Sequence, residues 1–197
     1  MSLPPLVKVR LASRNENKLR ELARALESWD LGLVDADRYP PEEGSSYYEN
    51  ALAKARYGLR FVENGWVLGE DSGIEVDGLG GAPGIRSARF GGDDPVGRLL
   101  AELRGVEGDG RRARYVCELV ALSPSSEEAR GTGVLEGRIA EEPAGSEGFG
   151  YDPIFVPAGE ELTVAELGNE WKAENSHRAR AARDLLRAMP SRGSSGV

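Results

Sequence analysis

The chain has 197 residues, 40% of them hydrophobic, which is enough for one large domain, and its single cysteine excludes an internal disulfide framework. Its formal net charge of −8 argues against a nucleic-acid partner, because binding to a nucleic-acid backbone depends on a basic surface. The single histidine excludes multi-histidine metal sites, and the lack of a leader-like or membrane-spanning apolar run predicts a cytoplasmic protein that binds no membrane.

Strands and helices are predicted to alternate through the first half of the chain. Residues 6–12 and 31–34 have the apolar composition of strands, and residues 66–70 form a further strand that ends in acidic residues. Residues 16–26 and 46–62 repeat their apolar side chains at helical spacing, so a helix is predicted in each of these segments.

The second half is predicted to contain a long antiparallel hairpin followed by a helix. Residues 112–122 and 131–139 are its strands, and the Pro-Ser-Ser sequence between them is typical of a turn. Helices are predicted at residues 94–103 and 176–189, and the small, polar residues 191–197 are predicted to fray. Together these elements predict a mixed α/β chain.

The strand at residues 66–70 is predicted to end at two adjacent acids, Glu70 and Asp71, which enter a glycine-rich turn. Crowded carboxylates repel each other, so they usually occur where a divalent cation neutralises them or where one acts as a base. Glycines let the main chain approach a ligand and direct N–H groups at phosphate oxygens held beside Mg²⁺. The segment therefore predicts a metal and phosphate site, with a solvent-exposed acidic turn as the alternative interpretation.

Two further segments supply groups that bind phosphate or a metal. The helix that begins after Ser13 and Asn15 has N–H groups at its start, which either of these residues caps or leaves to an anion, and Lys18 adds a cation. A capped surface helix is the alternative interpretation. This segment lacks the spacing of a Walker P-loop, which occurs nowhere in the chain. Glu42 offers an oxygen ligand and Lys54 a cation for phosphate, although a charged helix face is usually just solvated.

A fourth segment provides what a purine nucleotide requires. Phe149 offers an aromatic plane, Asp152 a hydrogen-bonding acid, and Lys172, His177 and Arg178 offer donors. Taken alone, an aromatic residue such as Phe149 belongs more often to the core than to a base-stacking surface.

The order and detail of six segments, taken together, are more specific than any one of them. Between about Val7 and Met189 the chain resembles the inosine/xanthosine triphosphate pyrophosphatase family. The segments that carry the resemblance are residues 13–21 (Ser-x-Asn-x-x-Lys-x-x-Glu), 49–55 (Glu-Asn-Ala-x-x-Lys-Ala), 70–73 (Glu-Asp-Ser-Gly), 83–90 (Pro-Gly-Ile-x-Ser-Ala-Arg-Phe), 148–155 (Gly-Phe-Gly-Tyr-Asp-Pro-Ile-Phe) and 176–178 (Ser-His-Arg).

The resemblance implies an enzyme that hydrolyses dITP, ITP and XTP to the monophosphate and pyrophosphate, with Mg²⁺ as its cofactor. It implies a single catalytic domain over residues 1–190, an α/β structure whose two lobes surround a long, bent mixed sheet with flanking helices. The active site is then expected in the cleft between the lobes. A homodimer is also implied by the resemblance, and only by the resemblance.

Roles for individual residues follow from the same resemblance. Asp71 matches the proposed general base, and Glu42, Glu70 and Asp71 match the metal-ligand region. The positions that match contacts to phosphate, sugar or nucleobase are Ser13, Arg14, Asn15, Glu16, Asn17, Lys18, Lys54, Ser72, Phe149, Gly150, Tyr151, Asp152, Lys172, His177 and Arg178.

Three positions depart from the family pattern. Arg14 stands where many members have glycine, Glu43 where threonine is common, and Glu70 where many bacterial members have aspartate. Arg14 is expected to change the phosphate-facing turn, and Glu43 to affect the residues around the metal. Glu70 keeps the carboxylate on a longer side chain.

The sequence is also compatible with other functions. A pyrophosphatase for pyrimidine or other modified nucleotides would carry similar segments, and a nucleotide-sensing module would bind without cleaving. Retention of both acids and of Lys18, Lys54 and Lys172 favours an enzyme over a sensor. A haloacid-dehalogenase-type phosphatase is disfavoured, because residues 75–78 lack the first nucleophilic aspartate of that family.

Overall fold

Six strands form one mixed sheet in the computed structural model, which describes residues 7–190. The strands are β1 (Val7–Leu11), β2 (Trp29–Leu33), β3 (Trp66–Val76), β4 (Arg112–Leu122), β5 (Glu128–Ile139) and β6 (Phe155–Pro157), in the spatial order β2-β1-β3-β4-β5-β6. β1 pairs in parallel with β2 and β3, and the remaining neighbours are antiparallel. The mixed α/β fold predicted from the sequence is confirmed.

Five α-helices flank the sheet within the described residues: α1 (Glu16–Ala25), α2 (Tyr47–Gly58), α3 (Pro95–Glu102), α4 (Val164–Asn175) and α5 (His177–Ala188). α1 and α5 contribute Leu22 and Leu185 to a core cluster on one face of the sheet. α2 contributes Ala51 and Ala55 to a separate cluster with Val67. No helix in this part of the chain has both the length and the apolar character needed to cross a membrane.

Glycines in the central strands allow two helices to approach the sheet closely. A methyl group on Gly69 of β3 would overlap the carbonyl oxygen of Ala51 and lie 2.9 Å from the backbone nitrogen of Ala55, both in α2. On β5, a methyl group on Gly133 would overlap the backbone of α5. Both helices carry predicted site residues, so these glycines set how near those residues lie to β3.

The prediction that β3 ends at Glu70 was wrong. The strand continues to Val76, and β4 pairs with it without interruption from Val67 to Val76, so both acids lie in the middle of a strand. On the opposite side, β1 pairs with β3 only as far as Leu68. Residues 69–72, which include both acids, therefore have no strand neighbour on that edge, which we call the open edge of β3.

The predicted hairpin is confirmed as β4 and β5, although β5 begins at Glu128 and not at residue 131. Helix α4 was not predicted, since Gly168 interrupts it with φ 83° and ψ 178° and breaks the apolar repeat. The predicted fraying of residues 191–197, and Leu6 at the start of the first predicted strand, lie outside the described residues.

Candidate functional site

Glu70 and Asp71 leave β3 on opposite faces of the sheet, because successive side chains of a strand alternate. Asp71 points toward α2, where Asn50 and Lys54 lie. Glu70 points toward α1 and α5, which supply Lys18 and Arg178. The two carboxylates thus form ion pairs with different cations, although they are adjacent in the chain.

On the α2 side, Lys54 contacts the carboxylates of Asp71 and Glu42 and the main chain of Glu70. Lys54 Nζ lies 2.9 Å from Asp71 Oδ1, donates to the carbonyl oxygen of Glu70 at 3.0 Å and forms an ion pair with Glu42. Asn50 Nδ2 donates to Asp71 Oδ2 at 3.0 Å. Burial raises the pKa of Asp71 above its ordinary value, although the Lys54 ammonium acts in the opposite sense. Asp71 is therefore a better proton acceptor than a solvated aspartate.

On the other face, Glu70 is held as a carboxylate by two cations. Lys18 Nζ lies 2.5 Å from Glu70 Oε2, and Arg178 Nε lies 3.1 Å from Oε1. Burial alone would raise the pKa of Glu70, but Lys18, Arg178 and Lys54 together hold it well below its usual range. Arg178 also donates to Ser72 Oγ at 2.7 Å and to Glu21 Oε2 at 2.9 Å, which fixes its guanidinium against β3.

The start of α1 is capped by its own residues. Asn15 Oδ1 accepts from the backbone nitrogens of Asn17 and Lys18 at 2.9 and 3.3 Å, and Ser13 Oγ accepts from the nitrogen of Asn15 at 3.0 Å. Two N–H groups of the first turn are therefore already satisfied. What this segment presents to an anion is chiefly the Lys18 ammonium and the positive end of the helix dipole.

The surface around this turn shows where two departures from the family pattern lie. Arg14 Nη1 donates to the carbonyl oxygen of Asp37 at 3.2 Å, so this cation binds a neighbouring loop. Glu43 is exposed. Glu16 forms an exposed i,i+4 ion pair with Arg20 at 3.7 Å, and Asn17 also bonds to Arg20.

A cavity of about 230 Å³ opens beside Ser72, and the two cations that pair with Glu70, Lys18 and Arg178, are among its lining residues. The Phe149 ring is one of its walls, with Lys172 Nζ 4.8 Å and Arg178 Cζ 5.1 Å from the ring centroid. Two cations against one ring hold it in place, and Phe149 supplies the cavity with an aromatic surface. Such a surface suits the stacking of a planar heterocycle.

The back of the cavity is a buried polar network. Asp152 accepts from the Phe149 nitrogen at 2.8 Å, from the Tyr115 hydroxyl at 3.2 Å and from Lys172 Nζ at 2.5 Å. Burial raises the pKa of Asp152, with Lys172 opposing the shift. The Tyr115 ring stacks on His177 with centroids 4.5 Å apart and an interplanar angle of 10°. These contacts fix the positions of the groups that surround a bound ligand.

His177 is buried in this network in its neutral form. Burial, with Arg178 and Lys172 nearby, holds its pKa well below the usual range despite the opposing charge of Glu70, and its Nδ1 atom has no hydrogen-bond partner within the described residues. Below about pH 6.5 the unfolded chain takes up a proton that the folded protein does not accept. The stability that His177 contributes is therefore fully present above that pH and is lost as the pH falls.

We expect the free energy of unfolding to fall by up to about 1.4 kcal/mol per pH unit below pH 6.5 on account of this residue. Chemical denaturation at pH 7.5, 6.5, 6.0 and 5.5 measures the effect, and His177→Phe is the matched control, since it keeps a ring against Tyr115. The chain has one histidine, so no other side chain of this type contributes to the difference. Equal pH dependence of the two proteins would contradict the expectation.

Comparisons with known proteins show the family of this chain. The model of the Ham1 family matches residues 9–188. The chain belongs to the Ham1 family. A relative of this Ham1 protein from Symbiobacterium thermophilum, named dITP/XTP pyrophosphatase, is 44% identical over 187 residues, which are 92% of this chain and 94% of the relative. A protein of the same name from Thermus thermophilus is 44% identical and covers 92% of this chain and 91% of its own length.

Solved structures of the Ham1 family share the fold. The HAM1 protein of Coxiella burnetii superposes with a TM-score of 0.80 at 31% identity, over 92% of this chain and 98% of that one. The structure described as nucleoside-triphosphatase / dITP/XTP pyrophosphatase from Mycobacterium abscessus has a TM-score of 0.71 at 42% identity, over 93% of this chain and 98% of that one.

The structure of this Ham1 protein distributes the predicted site residues over both faces of β3, with Glu70 on the α1 and α5 side, paired with Lys18 and Arg178. On the α2 side are Glu42, Lys54 and Asp71. Lys172 lies behind the Phe149 ring, and Ser13, Arg14, Glu16 and Asn17 surround the start of α1. The cavity is lined by Asn15, Lys18, Ser72, Phe149, Gly150, Tyr151, Asp152, His177 and Arg178.

Two residues of this network were given no role from the sequence. Asn50 donates to Asp71. It lies within residues 49–55, which carry the family resemblance, so the sequence did indicate that this residue belongs to the site. Tyr115 lies in an apolar strand and is indistinguishable there from a core residue. Only the fold shows that it bonds to Asp152 and stacks on His177.

The side chains around the open edge carry the oxygen ligands that a hard cation such as Mg²⁺ prefers. Glu42 and Asp71 offer carboxylate oxygens to one ammonium, Lys54. Glu70 Oε2 is a buried carboxylate oxygen that forms an ion pair with Lys18 but accepts no hydrogen bond from the part of the chain that the structure describes. Carboxylate oxygens are the ligands that Mg²⁺ prefers. Within residues 7–190, however, no three acidic, histidine or cysteine side chains converge as a ready-made metal cage. Glu42 and Asp71 are the pair that the fold brings together, and the role of Glu70 as a ligand stays a prediction.

Proposed function

We propose that this Ham1 protein hydrolyses dITP, ITP and XTP to the nucleoside monophosphate and pyrophosphate. The observation that carries the proposal is the link between the cavity and the two acids of β3. Phe149 and Ser72, the residue after Asp71, line the cavity, and so do Lys18 and Arg178, which pair with Glu70. The names of the relatives from Symbiobacterium and Thermus, dITP/XTP pyrophosphatase, support this choice of substrate.

In the proposed reaction a water molecule attacks the α-phosphorus of the bound nucleotide. Asp71 orients the water and takes its proton, a new bond forms between the water oxygen and the α-phosphorus, and the bond to the bridging oxygen of pyrophosphate breaks. Lys18 and Lys54 stabilise the negative charge on the phosphate chain. Positioning and electrostatic stabilisation supply most of the catalysis in phosphoryl transfer, so these roles suit the fixed side chains at the open edge.

We propose Mg²⁺ as the cofactor, held by Glu42 and Asp71, with Glu70 facing the same open edge. When bound, the ion neutralises charge on the triphosphate. Glu42 supplies a carboxylate that is already ionised, because Lys54 lowers its pKa below the ordinary value against the effect of burial. A homodimer and a cytoplasmic location are further proposals, which rest on the sequence resemblance and on the sequence itself. Analytical ultracentrifugation tests the dimer.

Selection of the base is proposed to occur in the cavity. Neutral His177 and the N–H groups of Arg178 that are not used by Glu21, Glu70 and Ser72 offer donors, which suit the 6-oxo acceptor of hypoxanthine or xanthine. Adenine presents a 6-amino donor instead. Each buried donor left facing another donor costs about 1 to 3 kcal/mol, so even one mismatch gives roughly 5-fold to 150-fold discrimination.

Incubation of the purified protein with ITP or ATP, each with and without Mg²⁺, tests the proposal. We expect ITP to be cleaved at least about 10-fold faster than ATP below saturation, with pyrophosphate as the product and Mg²⁺ required. Equal rates for ITP and ATP would contradict the assignment of the base pocket, and release of orthophosphate would contradict attack at the α-phosphorus. A panel of pyrimidine and modified triphosphates tests the alternative substrates, and binding of ITP without any cleavage would indicate a sensor.

A further inference from the structure

Glu42 differs from the other proposed metal ligands because it lies outside the sheet. It belongs to the segment between β2 and α2, which has no regular structure at this point, and its side chain is 20% exposed. Glu70 and Asp71, by contrast, are fixed in the middle of β3. A carboxylate on an irregular segment loses more conformational entropy on binding an ion than one already fixed by a strand, so whatever restrains Glu42 affects ion binding.

Two cations restrain the Glu42 carboxylate, one at each of its oxygens. Lys54 pairs with Oε1, and Arg89 Nη1 lies 3.4 Å from Oε2. Arg89 Nη2 also donates to the carbonyl oxygen of Glu42 at 3.2 Å. The planar guanidinium therefore contacts the side chain and the main chain of the same residue, an arrangement that restricts both the backbone and the carboxylate orientation.

Arg89 is well anchored for this purpose. It ends the short helical segment Gly84–Arg89, which Ser87 attaches to β3 by accepting a hydrogen bond from the Ile74 nitrogen at 2.9 Å. The Tyr151 hydroxyl donates to the carbonyl oxygen of Ser87 at 3.1 Å. Ser87 and Tyr151 line the cavity proposed for the base, so the segment connects the base pocket to the loop that carries Glu42.

We propose that Arg89 is a positioning residue that holds Glu42 in place to bind the catalytic cation. This inference rests on the proposed function, because it takes Glu42 as a metal ligand. It assigns a role to an arginine that does not line the cavity and that contacts neither Glu70 nor Asp71. Groups that orient a metal ligand typically change metal affinity by about 10-fold to 100-fold when they are removed.

The sign of the effect separates positioning from simple electrostatics. Removing a positive charge near a cation site strengthens cation binding if charge alone matters. Removing a group that orients the metal-binding carboxylate weakens cation binding. The Arg89 side chain is 50% exposed, and exposed ion pairs contribute little to stability, so Arg89→Met is expected to fold.

The experiment measures Mn²⁺ affinity by electron paramagnetic resonance in the absence of nucleotide, for the native protein and three variants. Arg89→Met is expected to bind Mn²⁺ about 10-fold more weakly or worse, and Arg89→Lys is expected to recover part of the loss. Arg86→Met is the matched control: Arg86 lies in the same segment, is exposed, and makes no side-chain hydrogen bond or ion pair within residues 7–190. The Arg86→Met substitution removes the same charge as Arg89→Met and is expected to leave the Mn²⁺ affinity unchanged.

The outcomes distinguish this inference from the function on which it rests. Unchanged or tighter Mn²⁺ binding by Arg89→Met would overturn the positioning role, as would an equal loss in Arg86→Met. A higher KM for ITP in Arg89→Met with native Mn²⁺ affinity would indicate direct contact with substrate instead. A native protein that binds no Mn²⁺ and cleaves no ITP would overturn the proposed function itself.

Discussion

The Asp71→Asn variant is expected to bind ITP with near-native affinity and to lose turnover by roughly 10²-fold to 10⁴-fold, the usual contribution of a general base. An amide cannot take the proton of the attacking water, but it keeps the size of the side chain and an oxygen that accepts from Lys54. Single-turnover cleavage of ITP measures the chemical step, and the dissociation constant of a non-hydrolysable ITP analogue measures binding.

A suitable control is Asp77→Asn, which changes an exposed acid just beyond the end of β3 and outside the site. Its turnover is expected to match that of the native protein. Native turnover in Asp71→Asn would remove Asp71 from the role of base, and loss of binding in parallel with turnover would show that its charge acts mainly in the ground state.

The Gly69→Ala variant is expected to lose about 1 to 3 kcal/mol of stability or more, because the added methyl group overlaps the carbonyl oxygen of Ala51. The neighbour is helix backbone, which moves only if α2 moves. Since α2 carries Asn50 and Lys54, displacement of this helix also removes two contacts of Asp71, and turnover is expected to fall with stability. Urea denaturation and the ITP assay, both at a temperature where the variant is folded, measure the two effects.

Gly32→Ala provides the comparison for a strand glycine with space around it. A methyl group there would lie 3.5 Å from the end of the flexible Arg10 side chain, which is ordinary van der Waals contact. We expect Gly32→Ala to unfold within about 0.5 kcal/mol of the native protein. Equal stability of Gly69→Ala would show that α2 does not approach β3 as closely as described.

The fold could be predicted from the sequence where local pattern and tertiary structure agree. The hairpin of β4 and β5 is an example, because its apolar strands and turn residues are both visible in the chain. The position of Glu70 and Asp71 could not be predicted from local pattern, since the glycines that follow them suggested a turn, whereas pairing with β4 extends the strand to Val76. Tertiary hydrogen bonds here override the local preference of glycine.

The candidate site shows the same division. The segments that bring Lys18, Phe149 and Arg178 together were recognisable as a set from their resemblance to a family, and all three line one cavity. The partners of each side chain were not recognisable. That Glu70 pairs with Lys18 and Arg178, while Asp71 pairs with Lys54, depends on the alternation of side chains along β3, which requires the strand to be known first.

The long sequence separation of the groups around Glu70 has a consequence for protein synthesis. Arg178 bonds to Glu70, 108 positions earlier in the chain, and to Glu21, 157 positions earlier. Helix α5 must therefore leave the ribosome before either carboxylate meets this guanidinium. A growing polypeptide contains Glu21 and Glu70 long before it contains this guanidinium, so a truncated product that ends before α5 is expected to be inert toward nucleotides.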